Sequence, residues 1–80
     1  MTSVKDIELA VLQALKTLLP RGTNVTLEKK LIADLKLLSD DATALALEME
    51  NKFEVRIPRP EWATVLTVQD MINLLAAHRP

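Results

Sequence analysis

The sequence predicts an all-α fold, a small irregular four-helix bundle with three main helices, one short third helix and a long loop between helices one and two. Three observations lead there. Apolar residues recur at helical spacing in three separate segments. The interior they supply is aliphatic: 49% of the 80 residues are hydrophobic, yet Phe53 and Trp62 are the only aromatics, a composition that suits packed helices better than a sheet. Breakers fall between the segments, with Pro20 and Gly22 after the first and Pro58 and Pro60 after the second.

The length allows one domain, residues 1–80. A chain this short buries only about 60% of the surface its unfolded form exposes, so each apolar position matters. The first helix is expected over about residues 3–19. Val4, Ile7, Val11, Leu15 and Leu18 form its buried stripe, widened by Ala10 and Ala14, and Ser3 caps it with Asp6 three residues on. Leu9, Leu12 and Leu19 are more apolar than a solvent face needs. Residues 20–38 form the long connection, too β-branched at Thr23–Thr26 to continue a helix. A loop of that length is uncommon in so small a domain unless its side chains dock on the core. Leu31 and Leu35 are the expected pins, Leu27 and Ile32 further pegs, with a short helical turn around residues 28–32.

The second helix starts at Ser39, read as its N-cap, and ends at Phe53. Ala42, Leu45, Ala46, Met49 and Phe53 make the inward stripe. Asp40 and Asp41 occupy the first turn, where the helix dipole favours negative charge. Leu47, Glu48 and Glu50 fall on the outside. Val55 and Ile57 alternate with charges and point inward from an extended piece. A short third helix is expected over residues 60–65, with Pro60 at its first position. Thr67 caps the last helix with Asp70 three residues on, and Val68, Met71, Ile72 and Leu75 are its buried stripe, ending near Ala77.

Composition excludes several chemistries. With no Cys there is no disulfide, thiolate metal site or Cys nucleophile. The single His, His78, stands at the chain's end, where a catalytic pair or metal site would lack its other positioned groups; the last turn of a helix mildly favours a cation there. A net charge of −1 does not point to nucleic acid. The negative charge is concentrated over residues 37–53, where Asp40, Asp41, Glu48 and Glu50 face only Lys52. That acidity also disfavours a helix-turn-helix DNA reader. No apolar run is long enough for a membrane span and no signal peptide is visible, so the expected setting is cytoplasmic, without membrane or nucleic acid, as a monomer.

Four landmarks in this order carry a resemblance: Asp34-Leu35 leading to Ser39, Phe53 fourteen residues after that serine, Ile57-Pro58, and Thr67-Val68 with Asp70. Together they span nearly the whole chain, which resembles the acyl carrier proteins and the wider phosphopantetheine-binding carrier family. That family typically shows Asp-Leu-Gly-x-Asp-Ser-Leu at the first landmark. Here Lys36 stands at the Gly position, Leu38 precedes the serine and Asp40 follows it, while Ala44 replaces the family's central acidic residue on the second helix.

The resemblance implies a carrier, not an enzyme. Ser39 would carry 4'-phosphopantetheine, taken from coenzyme A by a phosphopantetheinyl transferase, and the arm's thiol would present an acyl thioester to acyl-transferring or acyl-ligating enzymes. A helix N-terminus suits the phosphodiester. Asp40, Asp41, Glu48 and Glu50 would meet basic docking surfaces, which steers encounter and orientation, with Leu47 as apolar anchor. The atypical Leu-Ser-Asp site suggests a specialised lipid, polyketide or related pathway. A plainer reading stands beside each assignment: Ser39 as a cap alone, Leu47 as a stray exposed leucine, Trp62 as core packing and not the lining of an acyl cleft or partner surface. The alternative for the whole chain is a carrier-fold interaction module that has lost the arm.

Overall fold

Each of the three main helices begins where a residue in extended conformation hands the chain to an apolar stripe. In the computed structural model, which describes residues 2–79, α1 spans Val4–Leu18, α2 Ser39–Phe53, α3 Arg59–Trp62 and α4 Val68–His78. For α1 and α4 the expected capping boxes form. Ser3 Oγ accepts the Asp6 N–H at 3.1 Å, and Asp6 Oδ2 accepts the Ser3 N–H at 3.4 Å. Thr67 Oγ1 accepts the Asp70 N–H at 3.0 Å, and Asp70 Oδ2 accepts the N–H groups of Thr67 and Leu66, both at 3.1 Å. Each box satisfies donors that a helix start otherwise leaves open.

The core is aliphatic and continuous, with Ile7, Val11 and Leu15 of α1, Leu45 and Met49 of α2, and Val68, Met71, Ile72 and Leu75 of α4 all buried. The inward set of α4 is the one expected. The α1 stripe is shorter than expected: Val4 and Leu18 are 44% and 43% exposed. Leu19 is buried instead, because it sits in extended conformation ahead of Pro20, which excludes the helical region for the residue before it. On α2, Ala42, Ala46 and Phe53 are only half-buried. Helix α1 packs against both α4 and α2, and α3 packs against α4.

The long connection is pinned as anticipated, by Leu31 and Leu35, and additionally by buried Leu37. Ile32 is exposed, contrary to expectation. The turn lies at residues 31–35 and not 28–32. Asp34 seeds it there: its Oδ2 accepts the Lys30 N–H at 2.8 Å, while the Asp34 and Leu35 N–H groups bond Lys30 O at 3.0 and 2.9 Å. The loop is also stitched to the start of α4. Leu31 N–H donates to Leu66 O at 2.9 Å, Val68 N–H to Lys29 O at 3.1 Å and Gln69 N–H to Leu27 O at 2.9 Å. Lys36 then takes φ 62°, the left-handed region that suits glycine.

Val55 and Ile57 point inward as expected. Helix α3 starts one residue earlier than expected and stops at Trp62. Its first turn closes on Pro58 O, which accepts the Glu61 N–H at 3.0 Å and the Trp62 N–H at 3.3 Å. Pro60 is therefore second in the helix, where its missing N–H costs nothing.

Candidate functional site

Leu37 is buried and anchors the chain immediately before α2, while Leu38 is extended at φ −78° and ψ 155°. The first intrahelical bond runs from the Ala42 N–H to Leu38 O at 2.9 Å. Leu38 is therefore the cap and Ser39 the first helical residue. This corrects the expectation that Ser39 caps α2: its hydroxyl is exposed and makes no cap bond. The N–H groups of Ser39, Asp40 and Asp41 have no acceptor among the described residues. A free hydroxyl beside three free N–H groups at the positive end of a fifteen-residue helix is chemistry that fits a phosphodiester.

A groove of about 630 Å³ opens between α2 and α3. Ala42, Ala46, Leu47 and Trp62 give it apolar walls, with Ile57 and Met71 reaching it from the core. Ser39, Thr43, Ala46 and Glu50 are spaced by four, three and four residues, one stripe of α2. The last three of them line the groove, and Ser39 lies one turn beyond Thr43 on the same stripe. Thr43 Oγ1 donates to Ser39 O at 3.0 Å, tying the turns together on that stripe.

Glu50 does not sit on the outer face. Its Oε2 accepts the Ile57 N–H at 2.9 Å and the Trp62 Nε1–H at 3.0 Å. The side chain expected to meet a partner instead holds α3 against α2, and it is half-buried. The remaining docking candidates divide in two. Asp40 and Leu47, seven residues apart and both exposed, share the solvent stripe beside Ser39. Asp41 and Glu48, also seven apart, lie on the flank toward α1, where Glu48 edges a shallow cleft with Gln13 and Thr17.

Trp62 packs against the core, as its plainer reading expects, and it also lines the groove. His78, at the end of α4, places Nε2 2.7 Å from Glu61 Oε1, a link between α4 and α3 that no sequence pattern signalled. Ile32 and Arg59 also line the groove without a motif to announce them. Among the described residues no three or more His, Cys, Asp or Glu side chains group to hold a metal ion, and no helix is long and apolar enough to cross a membrane.

No family model matches the chain. An acyl carrier protein of Campylobacter concisus is 41% identical over 51 residues, which is 64% of this chain and 66% of the relative's length. An acyl carrier protein of Campylobacter jejuni is 29% identical over 75 residues, 94% of either chain. The chain is similar in sequence to these acyl carrier proteins. The solved structure of a candidate acyl carrier protein from Mycobacterium tuberculosis shares its fold, with a TM-score of 0.81 at 24% identity over 89% of this chain and 96% of the other.

Proposed function

We propose that residues 1–80 act as one acyl carrier domain in which Ser39 bears 4'-phosphopantetheine. The single observation that carries this reading is the Ser39 hydroxyl, exposed and free of any cap bond, at the head of α2 and one helical turn before Thr43, which lines an apolar groove. Attachment breaks the Ser39 Oγ–H bond and forms an Oγ–P bond to the pantetheine-side phosphorus of coenzyme A. The pyrophosphate P–O bond breaks, adenosine 3',5'-bisphosphate leaves, and the transferase takes the serine proton. When bound, the arm supplies a thiol that holds an acyl group as a thioester.

This chain's own residues then bind and orient. The N–H groups of Ser39, Asp40 and Asp41 stabilise the phosphodiester charge. Ala42, Ala46 and Trp62 offer an acyl chain a surface away from water. Asp40, Asp41, Glu48 and Leu47 meet the basic docking surfaces of a phosphopantetheinyl transferase and of acyl-transferring or acyl-ligating enzymes. Glu50 leaves that set, because its carboxylate is engaged within the fold. The same reading has the protein working as a monomer in the cytoplasm, in a specialised lipid, polyketide or related pathway.

A second reading, an interaction module without the arm, is favoured by Leu38 and Asp40 on either side of the serine. Incubation with coenzyme A and phosphopantetheinyl transferases, read by intact mass, separates the two. A gain of one phosphopantetheine that disappears in Ser39→Ala is expected. Persistence of the adduct in that variant overturns the site, and no adduct with any transferase selects the interaction module.

A further inference from the structure

The start of α2 departs from the starts of α1 and α4 in a way the fold does not use. Ser3 and Thr67 close complete capping boxes, whereas Leu38 makes no cap bond. Leucine is among the poorest residues at that position, and Ser or Asp would stabilise the helix there. Packing gives nothing back: Leu38 is 69% exposed, the most exposed large hydrophobic among the described residues, and its neighbour Leu37 provides the buried anchor. Leu38 therefore weakens the helix start locally and leaves apolar surface in water.

Its position says what covers it. Any enzyme that acts on the Ser39 hydroxyl must close over the adjoining residue. On the other side of Ser39, Asp40 and Asp41 make no ion pair among the described residues, and residues 37–53 carry a net charge of −3. We propose that Leu38 is a recognition residue, inserted into an apolar pocket of the enzyme that modifies Ser39, with a basic group of that enzyme facing Asp40. This rests on Ser39 being the attachment point. Transfer of the exposed leucine into such a pocket strengthens binding by burial of apolar area, and the neighbouring charges set its orientation.

The test compares the wild type with Leu38→Met, Leu38→Ser and Leu38→Asp. Loading from coenzyme A is followed by intact mass, using the phosphopantetheinyl transferase that loads the wild type fastest, with thermal unfolding measured in parallel. Leu38→Ser and Leu38→Asp are expected to lose kcat/KM on the order of tenfold, the ratio that about 1.4 kcal/mol produces, and to lose it through KM. Leu38→Met keeps the wild-type rate. The Ser and Asp variants should meanwhile unfold at a higher temperature, so slower loading cannot come from a loosened helix. Wild-type loading in the Ser and Asp variants, a loss confined to kcat, or a lower unfolding temperature overturns the proposal and leaves the attachment standing. Absence of any adduct on the wild type removes the attachment and this inference together.

Discussion

Glu50 and Trp62, twelve residues apart, are joined by a hydrogen bond of 3.0 Å from the indole Nε1–H to the carboxylate Oε2. The same oxygen accepts the Ile57 N–H at 2.9 Å. One side chain of α2 thereby fixes both the extended piece after the helix and the four-residue helix α3, which is too short to hold itself. This bridge joins the two walls of the groove.

Glu50→Ala should consequently destabilise the protein by about 1–3 kcal/mol, because two partly buried donors lose their acceptor. In a domain of this size each kcal/mol lowers the midpoint by about 4–8 °C. Glu50→Gln keeps a carbonyl oxygen and should lose less. Thermal unfolding by circular dichroism measures both, and emission from Trp62, the single tryptophan, should shift to the red in the alanine variant.

The caps predict a contrast between three alanine substitutions. Thr67→Ala and Ser3→Ala each remove half of a capping box and should cost about 1 kcal/mol. Ser39→Ala removes a hydroxyl that caps nothing and should stay within about 0.5 kcal/mol of the wild type. Urea unfolding of the three variants side by side decides this. A Ser39→Ala cost equal to that of Thr67→Ala would restore the hydroxyl as a cap.

Lys36 holds φ at 62° between the docked leucines and α2. An L-residue there bears about 1–2 kcal/mol of steric cost, and glycine bears about 0.5–1 kcal/mol of extra chain entropy in its place. Lys36→Gly should raise stability by up to about 1 kcal/mol, and β-branched Lys36→Val should lower it. Chemical denaturation midpoints read the order Gly above Lys above Val.

Asp70 titrates differently in the folded and unfolded chain. Backbone N–H groups of Thr67 and Leu66 donate to its carboxylate and hold its pKa below the ordinary 3.8. A lowered folded pKa contributes stability that is complete above the unfolded value and is lost as pH falls through the folded one. Stability of the wild type should therefore fall as pH drops below about 4, and Asp70→Asn should show a shallower fall over that window. Equal slopes in the two proteins, measured as denaturant midpoints against pH, would rule the capping carboxylate out as the source.

The helices are legible in the sequence because their signals are local, and so is the place of the candidate serine at the start of α2. The spacing of Val68, Met71, Ile72 and Leu75 names the buried face of α4 without any knowledge of what it packs against. Pro20 and the Thr67–Asp70 pair mark an end and a start in the same way. Ser39 stands at the head of α2, as its place before the apolar stripe predicts, but as the first helical residue and not the cap. Serine is strongly favoured as a cap, so the pattern points to Ser39, whereas the residue in extended conformation is Leu38.

The sequence alone thus determined an all-α chain, the order of its helices, their inward faces and the serine that opens α2, since all of these follow from contacts within one or two turns of helix. Only the tertiary structure decided that Glu50 bonds Trp62, that Ile32 is exposed, that the loop bonds to Leu66, and that His78 reaches Glu61 across seventeen residues. Those outcomes depend on where α3 and the long loop settle against the core. That placement is chosen by packing and hydrogen bonding between segments distant in the chain, and no residue pattern within either segment encodes it.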